Sequence, residues 1–166
     1  METSTIESSV PNDGTRSRPV RENPVVLMSC VKSKRGHRCK AGDMYTSPHF
    51  QKMMAYAQSL KPKNIFILSA KYGLLSPCDI IYPYEQTLKT LSASERRQWA
   101  QQVISELRNR CSLEEDAFVI LAGIAYRENL IPYLKHYDVP MEGLPFGRQL
   151  QWLERQLNDR RLPISS

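Results

Sequence analysis

Residues 64–75, reading N-I-F-I-L-S-A-K-Y-G-L-L, constrain the fold more than any other stretch of this chain. Ile65, Phe66, Ile67 and Leu68 make an uninterrupted apolar run, too short for a helix and right for a strand buried on both faces. Ser69 and Ala70 then permit close approach, Lys71 brings a cation, Tyr72 an aromatic hydroxyl, and Gly73 a turn. A buried strand that ends in small and polar residues is how an open α/β sheet presents chemistry at its carboxyl edge. The functional site is therefore expected here.

Two other segments share this grammar. Residues 25–28 form an apolar run ending in Ser29-Cys30, and residues 118–121 form one ending in Ala122-Gly123. Helical patterns lie between them. Ser47-Pro48 is a cap followed by proline at the first helical position, and Phe50, Met53, Met54, Ala57 and Leu60 then recur on one face. Ser92 with Glu95 reads as a capping box opening a helix that buries Trp99, Val103 and Leu107. Strand–helix–strand order implies parallel pairing through a right-handed crossover. Residues 31–46 and 76–91 read as long loops, residues 139–144 as a fourth extended segment, and Leu150, Leu153 and Leu157 as the buried side of a final helix. Residues 1–23 are expected to be a flexible arm whose Arg16, Arg18 and Arg21 could graze a phosphate backbone. Residues 24–166 are expected to form a single α/β domain.

Composition narrows the class. The chain has 166 residues, 41% of them hydrophobic, and no window approaches the roughly 18 apolar residues of a membrane span. With no signal-like start, a cytoplasmic location and reduced Cys30, Cys39, Cys78 and Cys111 are expected. The net charge is +6, and placement matters more than the total. Lys32, Lys34, Arg35, Arg38 and Lys40 fall within nine positions without an acid, which favours a polyanionic partner. No G-x-G-x-x-G or P-loop motif is present. The spacing of Cys30, His37 and Cys39 matches no standard zinc site. No cofactor and no metal is expected.

If the three strands are parallel neighbours, their polar tails converge on one edge. Ser29, Cys30, Lys32, Lys34, Ser69, Lys71, Tyr72, Gly73, Gly123, Tyr126 and Arg127 would meet there, joined from the loops by Asp43, Tyr45, Tyr84 and Glu85. Such a set suits an anionic ligand carrying a flat ring: aromatics stack on bases, cations hold phosphates, and a carboxylate orients water or stabilises a sugar cation.

Four groups of residues carry a resemblance. These are Ser29-Cys30 with Lys32 and Lys34, the run from Asp43 through Tyr45 to Phe50, the run from Ser69 to Leu74, and Tyr82-Pro83-Tyr84-Glu85. With Leu121-Ala122-Gly123, Tyr126 and Pro140-Met141-Glu142-Gly143-Leu144, they make residues 25–157 resemble an uncharacterised domain family of bacteria and phages. That family is similar to the peroxide-stress proteins, whose members bind DNA, and to a domain of archaeosine-forming enzymes. The wider group resembles the uracil-DNA-glycosylase superfamily. The resemblance implies a three-layer α/β/α fold with a four-stranded, mainly parallel central sheet. Some small proteins of this type are antiphage glycosylases that remove glucosylated hydroxymethylcytosine. The glycosylase motif Gly-Gln-Asp-Pro-Tyr is not found after Met28, where Ser29-Cys30-Val31-Lys32 stands instead.

The expectation drawn from both lines is a DNA glycosylase that hydrolyses the N-glycosidic bond of a modified base flipped out of phage DNA. Lys32, Lys34, Arg35, Arg38, Lys40, Arg127 and Arg148 would contact DNA. Ser29, Cys30, Tyr45, Ser69, Tyr72, Gly73, Tyr84, Gly123, Tyr126 and Glu142 would form the base site, with Tyr72 or Tyr84 stacking. Asp43 or Glu85 would position water, or Lys71 would form a Schiff base. A non-enzymatic DNA-binding stress or phage-related protein is one alternative, and a nucleosidase or base transferase acting on free nucleotides is another.

Overall fold

The structure, a computed structural model, describes residues 23–32 and 34–165, with side chains through residue 159. The expected arm, including Arg16, Arg18 and Arg21, lies outside the described residues except for Asn23.

Among the described residues, seven strands and five α-helices follow in order: β1 (Val25–Ser29), β2 (Cys39–Lys40), α1 (Ala41–Met44), α2 (Pro48–Ser59), β3 (Asn64–Ser69), β4 (Gly73–Leu75), β5 (Ile80–Ile81), α3 (Ala93–Arg108), β6 (Ala117–Leu121), α4 (Ile124–Arg127), β7 (His136–Asp138) and α5 (Phe146–Ser165). The main sheet runs β4-β3-β1-β6-β7. β1 pairs in parallel with β3 and β6, and β6 in parallel with β7. The fold is thus α/β with a mostly parallel central sheet.

The sheet has five strands rather than the expected four. Gly73, at φ +78°, turns the chain back on itself, so Gly73–Leu75 pairs antiparallel with the end of β3. The fourth parallel strand is also displaced: it is His136–Asp138, and residues 140–143 form a turn. Proline at 140 donates no ladder hydrogen bond, and Gly143 at φ +83° closes the turn. The loop expected at 31–46 contains β2 and α1. Its path is tied to the next loop by Ala41 N–H to Asp79 O (2.7 Å) and Gly42 N–H to Pro77 O (2.8 Å). A Cβ on Gly42 would sit 3.2 Å from that proline, so the two loops approach closely only because the residue is glycine.

Alternation along the strands splits the core into two halves. Val26, Met28, Ile67, Val119 and Leu121 face one way, onto Phe50, Met53 and Ala57 of α2 and Leu153 of α5. Val25, Leu27, Phe66, Leu68, Phe118 and Ile120 face the other way, onto Trp99, Val103, Ile104 and Leu107 of α3. The helix starts are as the sequence predicts. Ser47 Oγ accepts from Phe50 N–H, and both bonds of the Ser92–Glu95 capping box are made. Helices on both faces leave the carboxyl ends of β1, β3 and β6 as the open edge.

Candidate functional site

At the end of β3, Ser69 is fully buried and its hydroxyl organises the turn beyond it. Oγ accepts from the N–H groups of Tyr72 (3.0 Å) and Lys71 (3.3 Å) and donates to the Tyr84 hydroxyl (2.9 Å). Tyr84 in turn shares a 2.6 Å hydrogen bond with the Tyr45 hydroxyl. From the opposite face Trp99 Nε1–H donates to Ser69 O at 2.8 Å. Burial, as the main cause, pushes both Tyr45 and Tyr84 far above the ordinary phenol range, so both stay neutral at any physiological pH. Tyr126 is pushed up to about 12, again chiefly by burial. Its hydroxyl lies 3.5 Å from Cys30 Sγ and accepts from Leu88 N–H.

Cations line the rim of this hydroxyl cluster. The Lys34 backbone bridges to Tyr45, its ammonium lies 4.7 Å from the Tyr84 ring centre, and it donates to Lys32 O. Lys71 is exposed and sits 5.3 Å over the Tyr72 ring. The sequence-predicted convergence of Lys34, Ser69, Lys71, Tyr72, Tyr84 and Tyr45 is therefore physical contact. The two expected base stackers are engaged within the protein. Tyr84 is buried beneath Lys34, and Tyr72 packs edge-on against it with its hydroxyl bonded to the Tyr82 backbone.

The open space lies beside this cluster, at the ends of β1 and β6. A cleft of about 250 Å³ is bounded by Ser29, by Gly123 and Ile124 at the start of α4, by Arg127, by the 139–144 turn, and by His49 and Gln149 from α2 and α5. Ser29, Gly123 and Arg127 were expected at a ligand site. Arg127 donates to Ala122 O at 2.7 Å and stands 3.9 Å from the Glu142 carboxylate, so Glu142 joins the rim through it. Asp43, Glu85, Lys32, Arg35, Arg38, Lys40 and Arg148 are exposed and none lines the cleft. Arg35 Nε–H is held by Asp43 O at 2.7 Å. No ion pair involves Lys32, Lys34, Arg35, Arg38 or Lys40 among the described residues, so their charge is left for a partner.

Sequence reasoning passed over His49 and Gln149. His49 is 6% exposed and stacks on Phe146 at 4.4 Å. Its Nε2 meets Gln149 Oε1 at 2.8 Å, while Gln149 Nε2–H donates to Leu144 O at 3.0 Å. Its Nδ1 is buried with no hydrogen-bond partner. Burial, chiefly, lowers the His49 pKa, against a smaller upward pull from the Gln149 bond. The signal available in sequence was a histidine at the second helical position behind a Ser-Pro cap. Its partner stands 100 residues away, and no local pattern links the two.

Among the described residues no group of three His, Cys, Asp or Glu side chains could hold a metal ion, and no helix is long and apolar enough to cross a membrane.

Residues 25–155 match the profile of a family of unknown function, DUF6884. This is most of the 166-residue chain, and the protein belongs to that family. It is also similar to UPF0246 proteins of Rickettsia rickettsii (strain Iowa), Rickettsia peacockii (strain Rustic) and Rickettsia conorii (strain ATCC VR-613 / Malish 7), each 26% identical over 102 residues. The aligned stretch covers 60% of this chain and 41% of each relative, so it spans about two fifths of the proteins it matches. No solved structure matches the chain.

Proposed function

We propose that this member of DUF6884 is a DNA glycosylase that takes one modified base into the cleft at the ends of β1 and β6 and hydrolyses its N-glycosidic bond. The observation that carries the reading is the position of that cleft, beside a run of unpaired cations at the carboxyl edge of a parallel sheet. Its 250 Å³ fall below the roughly 300–1,000 Å³ of sites for drug-sized ligands. A single base suits that space and a dinucleotide cofactor does not. Lys32, Arg35, Arg38 and Lys40 hold backbone phosphates, which makes binding salt-dependent. The target nucleotide leaves the stack to reach the cleft. Water adds to C1′ of the sugar as the C1′–N bond breaks; the bond's electron pair leaves with the base, which takes up a proton. Arg127 lies in the cleft wall, and Glu142, held at its rim by Arg127, is placed to stabilise the positive charge that develops on the sugar. The peroxide-stress and uracil-DNA-glycosylase resemblances of the sequence support the same reading by analogy of fold.

One observation favours a second reading, a DNA-binding module without catalysis. Asp43 and Glu85, the two acids expected to handle water, are exposed and outside the cleft lining. A single experiment separates the two. The protein is incubated with ordinary, uracil-containing, hydroxymethylated and glucosylated duplexes, and abasic sites and free base are assayed. Base release from one of them, lost in Glu142→Gln or Arg127→Met, supports the glycosylase. Salt-sensitive binding with no release from any duplex supports the binding module. A Lys71-dependent adduct trapped by borohydride would replace water with the lysine as nucleophile.

A further inference from the structure

We infer that His49 reads the occupant of the cleft through a bare acceptor at Nδ1, so that the site selects a planar heterocycle presenting an amino N–H donor there. This deepens the proposed function and rests on the cleft being its base site.

Three hydrogen-bonding facts fix the direction. Gln149 Nε2 faces a carbonyl, Leu144 O, at 3.0 Å, and only the amide nitrogen can donate to it. The amide oxygen is then the atom facing His49 Nε2 at 2.8 Å, and an oxygen there only accepts. The proton of a neutral imidazole must therefore sit on Nε2, which leaves Nδ1 with a lone pair and no hydrogen. The ring is neutral because it is buried: burial of this imidazole disfavours its charged form. Phe146, stacked 17° from coplanar with His49, holds the ring plane, so the lone pair has a fixed direction.

That lone pair has no partner within the protein. Leaving a buried acceptor unpaired costs about 1–3 kcal/mol, and native interiors rarely keep such a group without a use for it. The position supplies the use. His49 and Gln149 both line the cleft, and Gln149 spends its amide entirely on fixing the tautomer. Nδ1 is thus the one atom of the pair still able to bond. A ligand amino group satisfies it, whereas a ring carrying hydrogen at the same point leaves it orphaned. Sites built to bond a polar group discriminate strongly against analogues that lack it. Gln149 is a positioning residue here, acting through the histidine.

The test uses the full chain and two pairs of nucleosides that differ by one amino group: 2′-deoxyadenosine against purine 2′-deoxyriboside, and 2′-deoxycytidine against its 4-deamino analogue. Affinity is measured by NMR titration, with ¹⁵N-labelled histidine reporting each ring nitrogen. The expected result is about tenfold tighter binding of the amino member of at least one pair, with the Nδ1 resonance moving and Nε2 remaining protonated. His49→Phe keeps the stacked ring and should abolish the preference. Gln149→Leu keeps the histidine, frees its tautomer and should weaken the preference even if His49→Phe fails to fold. Binding with no discrimination in either pair, or with a still Nδ1 signal, overturns the inference and leaves the cleft as a base site. Absence of binding by all four nucleosides overturns both.

Discussion

Replacing Ser69 by alanine is the sharpest probe of how the site edge is held. The residue is fully buried, and its hydroxyl serves three groups at once. The substitution removes two well-formed hydrogen bonds, Tyr72 N–H to Oγ at 3.0 Å and Oγ–H to the Tyr84 hydroxyl at 2.9 Å, with a longer one from Lys71 N–H. Each good bond contributes about 1 kcal/mol net. Tyr84 keeps Tyr45, but the Tyr72 N–H loses its acceptor at a partly buried turn, which adds part of the 1–3 kcal/mol desolvation cost. The sum is about 2–4 kcal/mol, or a fall of roughly 5–15 °C in melting temperature for a chain of this size. Tyr84→Phe removes a hydroxyl without stranding a backbone donor and should cost about 1–2 kcal/mol. Urea denaturation reads both, with an unchanged m-value showing that only stability has moved. A Ser69→Ala protein within 0.5 kcal/mol of the parent, or one more stable than Tyr84→Phe, would refute the role given to this hydroxyl.

Three further outcomes follow from the geometry. Gly73→Ala places a methyl 2.7 Å from Gln102 Nε2 at φ +78°, and should destabilise by about 1–3 kcal/mol. Adding Gln102→Ala should relieve the clash but not the backbone term, and full rescue would contradict this division. His49 has a folded pKa below its ordinary 6.5, so the unfolded chain takes up the proton first. Its contribution to stability is complete above pH 6.5 and is lost as pH falls through that value toward the folded pKa. The difference between parent and His49→Phe unfolding free energies should shrink over that window, and a pH-independent difference would exclude it. Finally, changing Lys32, Arg35, Arg38 and Lys40 to glutamine should flatten the plot of log affinity for duplex DNA against log salt by about 0.9 for each phosphate that the protein no longer neutralises. An unchanged slope would move the interface elsewhere.

What could be read from sequence was whatever a short window states by itself. β1, β3 and β6 are apolar on both faces because helices cover both, so the runs ending at Ser29, Ser69 and Leu121 announce buried parallel strands. The caps at Ser47 and Ser92 likewise carry their own chemistry. β7 was hidden because an edge strand needs no apolar run: His136, Tyr137 and Asp138 are half-buried to exposed. The neighbouring Val139, Met141 and Leu144, which look more strand-like, line the cleft instead. β4 was hidden because its pairing depends on a reversal at one glycine. The hydroxyl cluster was foreseeable from strand ends and tyrosines. The cleft was not, since His49, Arg127 and Gln149 come from three helices whose convergence is a property of the assembled layers.

The two margins of the main sheet are each three residues long: Gly73–Leu75 on one side and His136–Asp138 on the other. A ladder that brief offers an incoming strand few unpaired amides and carbonyls to copy. The interior β1 and β3, apolar and well suited to stacking with identical segments, are thereby fenced off from other molecules. The chain keeps its stickiest sequences in the middle of the sheet, so crowding many copies together should not extend one sheet into the next.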